Sequence, residues 1–405
     1  MKFSNNKEFK DAFSEALCEK LSKLRKNKEL DEYEFLDVYL QVAECKKIRL
    51  GNKREIFLFP DYDKQIYKPD IDMLFKQISM LTNECGTQPI IHLYKELQVL
   101  SVLSSHPKVE ESDFASRYQI HTNLGVINTV TGKRLKNNID GVFTATHQID
   151  KISLNSPHDD IKMLFESIAN HDLEVLKALY VVAYLTLIGY GHEHITFITG
   201  KNSYNKQAFL LLLRALASKE SSEQVMFRDL SIDDNLCAIG NLSSLYYNPE
   251  LTKNAKFATT AKEIFTNVVK NRPMLVTRKY LAPVVFYHRG MNVHCTEFMP
   301  DGFLEMQDLS ENAWEVNIKP DTAEVSRKKV AEIVSEFRVS EEDRLIDHSV
   351  FTRNLIATVL YMINDKFKIN VCYMERLLQR HTDSAKEARI EQAKRRTKEV
   401  IEGLE

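Results

Sequence analysis

The sequence predicts an α/β protein with a central, partly parallel sheet, flanked by an α-rich N-terminal region and an all-helical C-terminal region. Three observations predict it. Helix and strand patterns alternate over residues 160–320, the signature of a sheet covered by helices. Within that span an apolar β-branched run, Ile195–Thr199, leads through a polar loop into the strongly apolar segment Ala208–Leu213. After Pro320 the periodicity is helical throughout. Four regions follow: an α-rich domain over 1–115, a small β-containing connection over 116–160, a core over 161–320 and a helical domain over 321–405.

Taken in order, residues 7–27 place Phe9, Phe13, Ala16, Leu17, Leu21 and Leu24 on one helical face. A second helix is predicted near 30–46. A strand over 55–59 stops at Pro60, and helices follow over 70–82 and 89–104. Around 118–135 the pattern shortens to strands, with Val126–Val130, a turn at Thr131-Gly132-Lys133 and a return at Arg134-Leu135. Another strand is predicted over 143–149 and a turn-like boundary over 150–165. The core then reads helix 162–188, strand 195–199, helix 207–217, strand 243–248, helix 258–270, and strands over 274–280, 284–287 and 314–318. Helices are predicted over 323–337, 341–363, 371–380 and 384–402, with a capping-box-like signal in Ser340-Glu-Glu-Asp343.

Bulk properties narrow the classes. With 43% hydrophobic and 28% charged residues the 405-residue chain is no disordered polymer. A formal net charge of −2 gives no global attraction to nucleic acid, so any DNA contact rests on local patches. Six scattered cysteines without a C-x-x-C pair argue for a reducing cytosol and against structural zinc. The first residues lack the apolar stretch of a signal peptide, and the run Ala178–Ile188 is too short to cross a bilayer. The expected setting is cytoplasmic, with no membrane partner.

The segment 195–213 carries the chemistry. A phosphate-binding loop, G-x-x-x-x-G-K-[ST], surrounds phosphate oxygens with backbone N–H groups at a helix N-terminus and adds a lysine. Gly200 and Lys206 fall at the required spacing. Asn205 replaces the second glycine; asparagine tolerates positive φ better than most residues. Gln207 replaces the hydroxyl that would ligate Mg²⁺, and its amide is a poor ligand for that ion. The alternative is an ordinary strand-to-helix turn with a solvated lysine.

Three further elements accompany it. The strand ending at Asn248 offers Glu250 two residues on, a carboxylate that could orient Mg²⁺ or activate water, or equally a surface acid. Asn292 follows the strand near 284–287, where a polar tip could sense a γ-phosphate; a turn asparagine is the plain alternative. Lys270, Arg272, Arg278 and Lys279 interleave with β-formers and Tyr280, a pattern suited to tracking a nucleic-acid backbone or to a charged edge strand. His192 with His194, and His288 with His294 and Cys295, are weaker metal candidates, because nothing fixes their geometry. The basic residues of 386–402 alternate with acids and read as a solvated helix.

In this order the pieces resemble the superfamily 3 helicases, in particular the poxvirus- and phage-type primase-helicase family. The resemblance spans about 120–320. It rests on Asn123–Gly132, the loop Gly200 to Lys206, Phe227–Leu230 with Cys237–Leu242, the basic strand Arg278-Lys279-Tyr280, and Asn292 at the sensor position. It implies an AAA+-like P-loop core that binds ATP, DNA (single-stranded) and replication proteins, and that assembles as a homo-oligomer, in the family a hexameric ring. It assigns Gly200, Asn205, Lys206 and Gln207 to the nucleotide and Asn292 to catalysis as the sensor, while Glu250 stands as a catalytic candidate on its place after the strand alone. The DNA contacts fall to Arg278 and Lys279 by the resemblance, and to Lys270 and Arg272 by the basic pattern around them. The departures are Asn205, Gln207, the missing acid at the second strand end, and Leu309–Asn317, which holds no arginine where the family places its finger. Loss of such a finger costs about 10³–10⁵ in rate. The expectation is a replication protein of a phage or mobile element with weak or absent hydrolysis. The alternatives are an active helicase with an unorthodox loop, or a protein-binding adaptor or inhibitor of a replication machine.

Overall fold

The computed structural model describes residues 1–23, 32–50, 54–68, 77, 80–81, 108–109, 118–135, 143, 146–151, 154, 157–191, 194–201, 203–218, 221–225, 244–251, 259–270, 272, 274–278, 281–286, 290–300, 303, 312–318, 328 and 348–402. The N-terminal region begins with α1 (Asn6–Lys23) and α2 (Glu32–Val42). Phe9, Phe13 and Leu17 bury against Phe35, Val38, Tyr39 and Tyr62, with Phe9 stacked on Tyr62 at 4.8 Å between ring centroids. Each such fully buried large side chain contributes roughly 1.5–3 kcal/mol.

This region is not simply α-rich. A four-stranded sheet in the order β3-β2-β1-β4 packs beside the helices: β1 (Lys46–Leu50), β2 (Arg54–Asp61), β3 (Ile66–Lys68) and β4 (Lys108–Val109). Pro60 does not stop β2 but lies inside it. The β1 ladder ends at Leu58, and from Phe59 to Asp61 the strand pairs only with β3, so the missing N–H interrupts no second ladder. The helix predicted over 70–82 is described only at residues 77, 80 and 81, which are helical, and that over 89–104 lies outside the described residues.

The connection holds the hairpin β5 (Gln119–Thr122) and β6 (Gly125–Asn128), with Arg134 returning to bridge Ile127. The strand expected over 143–149 is absent among the described residues; His147 makes a single bridge to Thr122 instead.

The core is a five-stranded, wholly parallel sheet in the order β13-β7-β12-β9-β8. Its strands are β7 (Ile195–Thr199), β8 (Ser222–Gln224), β9 (Leu245–Leu251), β12 (Met291–Thr296) and β13 (Ala313–Asn317). A separate hairpin, β10 (Met274–Arg278) with β11 (Leu281–Phe286), lies between β9 and β12 in the chain. The helices are α3 (Asp159–Ile168), α4 (Leu173–Leu187), α5 (Ser203–Ala217) and α6 (Thr259–Val269). The single helix predicted over 162–188 is two: Asn170 and His171 adopt positive φ, and Asp172 then caps α4 through Glu174 N and Val175 N. The strand expected over 284–287 is present as β11, and β12, which carries Asn292, is a further strand that the sequence reading does not predict.

Among the described C-terminal residues, α7 (His348–Tyr361), a π-helical turn (Met362–Lys366) and α8 (Val371–Glu402) are helical. The break expected between 380 and 384 does not occur. The helix predicted over 323–337 and the Ser340 cap lie outside the described residues, apart from Lys328. Helix α8 runs along β13. Met374, Leu377 and Leu378 bury in the core, and Thr382 Oγ1 accepts the N–H of Glu315 at 2.8 Å, covering a donor on the sheet's edge.

Candidate nucleotide site

Strand β7 is buried along its whole length, between β12 and β13, and delivers the chain to the C-terminal edge of the sheet. There Gly200 has φ 133°, and a Cβ on it would stand 2.1 Å from the carbonyl oxygen of Ile318. Only glycine fits this close approach of two chain segments.

Helix α5 starts at Ser203, four residues earlier than the sequence predicts, so the connection from β7 is only residues 200–202. Asn205 is therefore helical and buried, and the positive φ that asparagine tolerates is not required there. Lys206 is 7% exposed. Its Nζ donates to the carbonyls of Gly200 at 2.6 Å and Thr296 at 2.8 Å, tying the loop to the end of β12. Burial lowers the pKa of this ammonium, while the negative fields of Glu297 and Glu250 oppose that shift. Burial also pushes the neighbouring Cys295 thiol up to about 12, so it is a neutral thiol at neutral pH. The solvated-lysine alternative does not describe Lys206, whereas Lys201 beside it is exposed. Gln207 is half-buried.

Glu250 is not beyond its strand. Pairing steps from His294–Asn248 to Thr296–Leu251, so β9 carries one extra residue, a bulge at Pro249 that leaves Glu250 exposed at the sheet's C-terminal edge. Asn248 uses its side chain for structure: Nδ2 donates to Val225 O at 3.1 Å, and Oδ1 accepts from Glu250 N at 3.0 Å. Asn292 departs from the sensor expectation. It is the second residue of β12, paired with Tyr246 and buried, at the opposite end of the strand from Gly200. The residue of β12 that meets the loop is Thr296, whose Oγ1 lies 2.9 Å from Leu251 O and 2.6 Å from Phe298 O.

Sequence reasoning missed a second group beside the loop. Glu315 on β13 is 2% exposed. Its Oε1 accepts from Thr199 Oγ1 at 2.9 Å, and its Oε2 pairs with Arg389 of α8. The register Glu315–Phe197 and Asn317–Thr199 could be found only once the sheet order is known.

Of the basic residues, Lys270 and Arg272 are exposed at and just beyond the end of α6. Arg278 closes β10, paired with Leu281, and Lys279 lies outside the described residues. The metal candidates come apart as well. His194 stacks on buried Trp314 at 3.9 Å, and His294 sits against the rings of Phe197 and Phe265, each at 5.8 Å. His192 and His288 lie outside the described residues, among which no group of three metal-ligating side chains occurs.

No protein-family model and no curated protein matches the chain. Among solved structures it is similar to JCV helicase bound to a thiazolopyridinyl-phenoxyphenyl acetamide, at 10% identity and a TM-score of 0.33, covering 57% of this chain and 62% of that one. It is similar also to the apo NrS-1 C-terminal region, at 10% identity and a TM-score of 0.44, covering 88% and 76%. An A-form apo structure of that region gives 10% identity and 0.41 over 86% and 75%. The chain thus spans less than two thirds of the JCV helicase chain.

Proposed function

We propose that this chain is a replication-associated, helicase-like protein of a phage or mobile element, built on an AAA+-like core with weak or absent ATP hydrolysis. The observation that supports the reading is Lys206: at the sequence position of a phosphate-binding lysine, it gives two of its three ammonium donors to main-chain carbonyls. A triphosphate entering at the N-terminus of α5 has to compete with both carbonyls for Lys206, and Gln207 then offers Mg²⁺ no hydroxyl. Residues Gly200, Asn205, Lys206 and Gln207 would hold the nucleotide, with Glu250 as the carboxylate at the sheet edge. Asn292, at the far end of its strand, has no part in this proposal.

Titration with a fluorescent ATP analogue, with and without Mg²⁺, tests it. Weak binding that Mg²⁺ does not strengthen is expected, with ATP turnover unstimulated by single-stranded DNA and no change in that turnover in Lys206→Ala. Turnover that DNA stimulates and Lys206→Ala abolishes would overturn it. That result would favour the second reading, an active helicase, for which Glu250 stands exposed at the sheet's C-terminal edge.

Binding to DNA is assigned to Lys270, Arg272, Arg278 and Lys279. Replacing Arg278 and Lys279 by alanine is expected to weaken single-stranded DNA binding and lower the slope of log K against log salt by about 0.7 for each phosphate no longer neutralised. Unchanged binding would reject the patch. Assembly into a homo-oligomer, such as a hexameric ring, is checked by light scattering with and without nucleotide and DNA. Among the described residues no helix is long and apolar enough to cross a membrane.

A further inference from the structure

Helix α8 reaches the loop through one carboxylate. Glu315 stands on the strand next to β7, so buried that its charge needs a partner, and Arg389 supplies it from α8. The other oxygen of the same carboxylate holds Thr199, the last residue of β7 before Gly200. Beyond Thr199 the two strands remain coupled: Ile318 N donates to Thr199 O at 2.8 Å, and Ile318 O is the atom that crowds Gly200. Farther from the sheet edge α8 has independent anchors, from Tyr190 Oη to Glu375 at 3.3 Å and from His381 Nε2 to Glu174 O at 2.9 Å. Past Arg389, Ile390 and Lys394 are exposed. Arg389 thus ties the C-terminal half of α8 to the sheet, two turns beyond Thr382.

We propose that Glu315 is a positioning residue that makes the nucleotide loop answer to the docking of α8. With Arg389 in place the carboxylate is neutralised and holds Thr199. With α8 displaced, an uncompensated negative charge stands one hydrogen bond from the loop, loosening it and repelling a triphosphate. The second half of the claim rests on the nucleotide reading above; the first half does not.

The test uses the full chain and three variants: Arg389→Gln, Glu315→Gln, and both together. Hydrogen exchange over residues 195–206 reads the loop without any nucleotide, and a fluorescent ATP analogue reads its affinity. Arg389→Gln is expected to speed exchange over 195–206 and to weaken the analogue about tenfold, the scale of one unscreened charge near a polyanion. Glu315→Gln/Arg389→Gln, which keeps a neutral hydrogen-bonding pair, is expected to restore both towards the parent. A merely structural brace predicts the opposite, with the double variant no better than Arg389→Gln. That result, or a loosened α8 with unchanged exchange over 195–206, would overturn the proposal. If the parent binds no analogue, the nucleotide reading fails while the exchange measurements still decide the coupling.

Discussion

Single atoms set the tolerances around the loop. A methyl group on Gly200 would collide with the Ile318 carbonyl and strain a backbone at φ 133°. Gly200→Ala is expected to lower stability by about 2 kcal/mol or more, measured by urea unfolding. Lys206→Met would strip Gly200 O and Thr296 O of their donor, at a cost of about 1–3 kcal/mol. A third residue gives a pH signature. Burial, and then the proximity of His147, lowers the His121 pKa from 6.5 to about 4. The unfolded chain therefore binds more protons between these values. The His121 contribution is complete above pH 6.5 and falls as pH drops towards 4, by at most about 1.4 kcal/mol per unit. Comparing urea midpoints of the parent and His121→Asn from pH 7 to 4 checks it; parallel curves would refute it. Gly200 and Lys206 were legible as a pair from spacing alone. The carbonyls that hold Lys206 were not, because one belongs to a strand ninety residues away in the chain.

At the scale of elements, what could be read depended on how much of each signal was local. Strand β7 and helix α5 announce themselves, one as a β-branched apolar run and the other as an apolar block. Strand β12 hides because Asn292 and His294 interrupt the hydrophobic run that a parallel strand buried on both faces normally shows. The paired helices α3 and α4 read as one because apolar periodicity continues past the break, and only Asn170, His171 and Asp172 mark it. Asp172→Ala removes the cap and should destabilise α4 by about 1 kcal/mol, seen as a lowered urea midpoint and faster exchange over 173–176. The bulge in β9 was invisible for another reason. Pro249 signals a strand end as well as it signals a bulge, and only pairing with β12 decides.

Across the molecule, the predicted mixed α/β class with a parallel central sheet holds, while the N-terminal sheet and the docking of α8 were missed. Both omissions are long-range. Basic and acidic residues alternate along α8 as on any solvated helix, yet Thr382 and Arg389 reach Glu315 in the sheet. Removing residues 371–405 is expected to bare the outer ladder of β13, lower solubility and promote association, measurable by light scattering. The strand order also has a consequence for synthesis. Strand β7 is the first of its sheet to leave the ribosome, but it is paired on both sides, and both its neighbours, β12 and β13, are encoded far downstream. Until they emerge, its two edges have no native partners in the growing chain. Assembly of this sheet must therefore wait for nearly the whole core to be translated, and nascent chains stalled before Met291 are natural clients for chaperones.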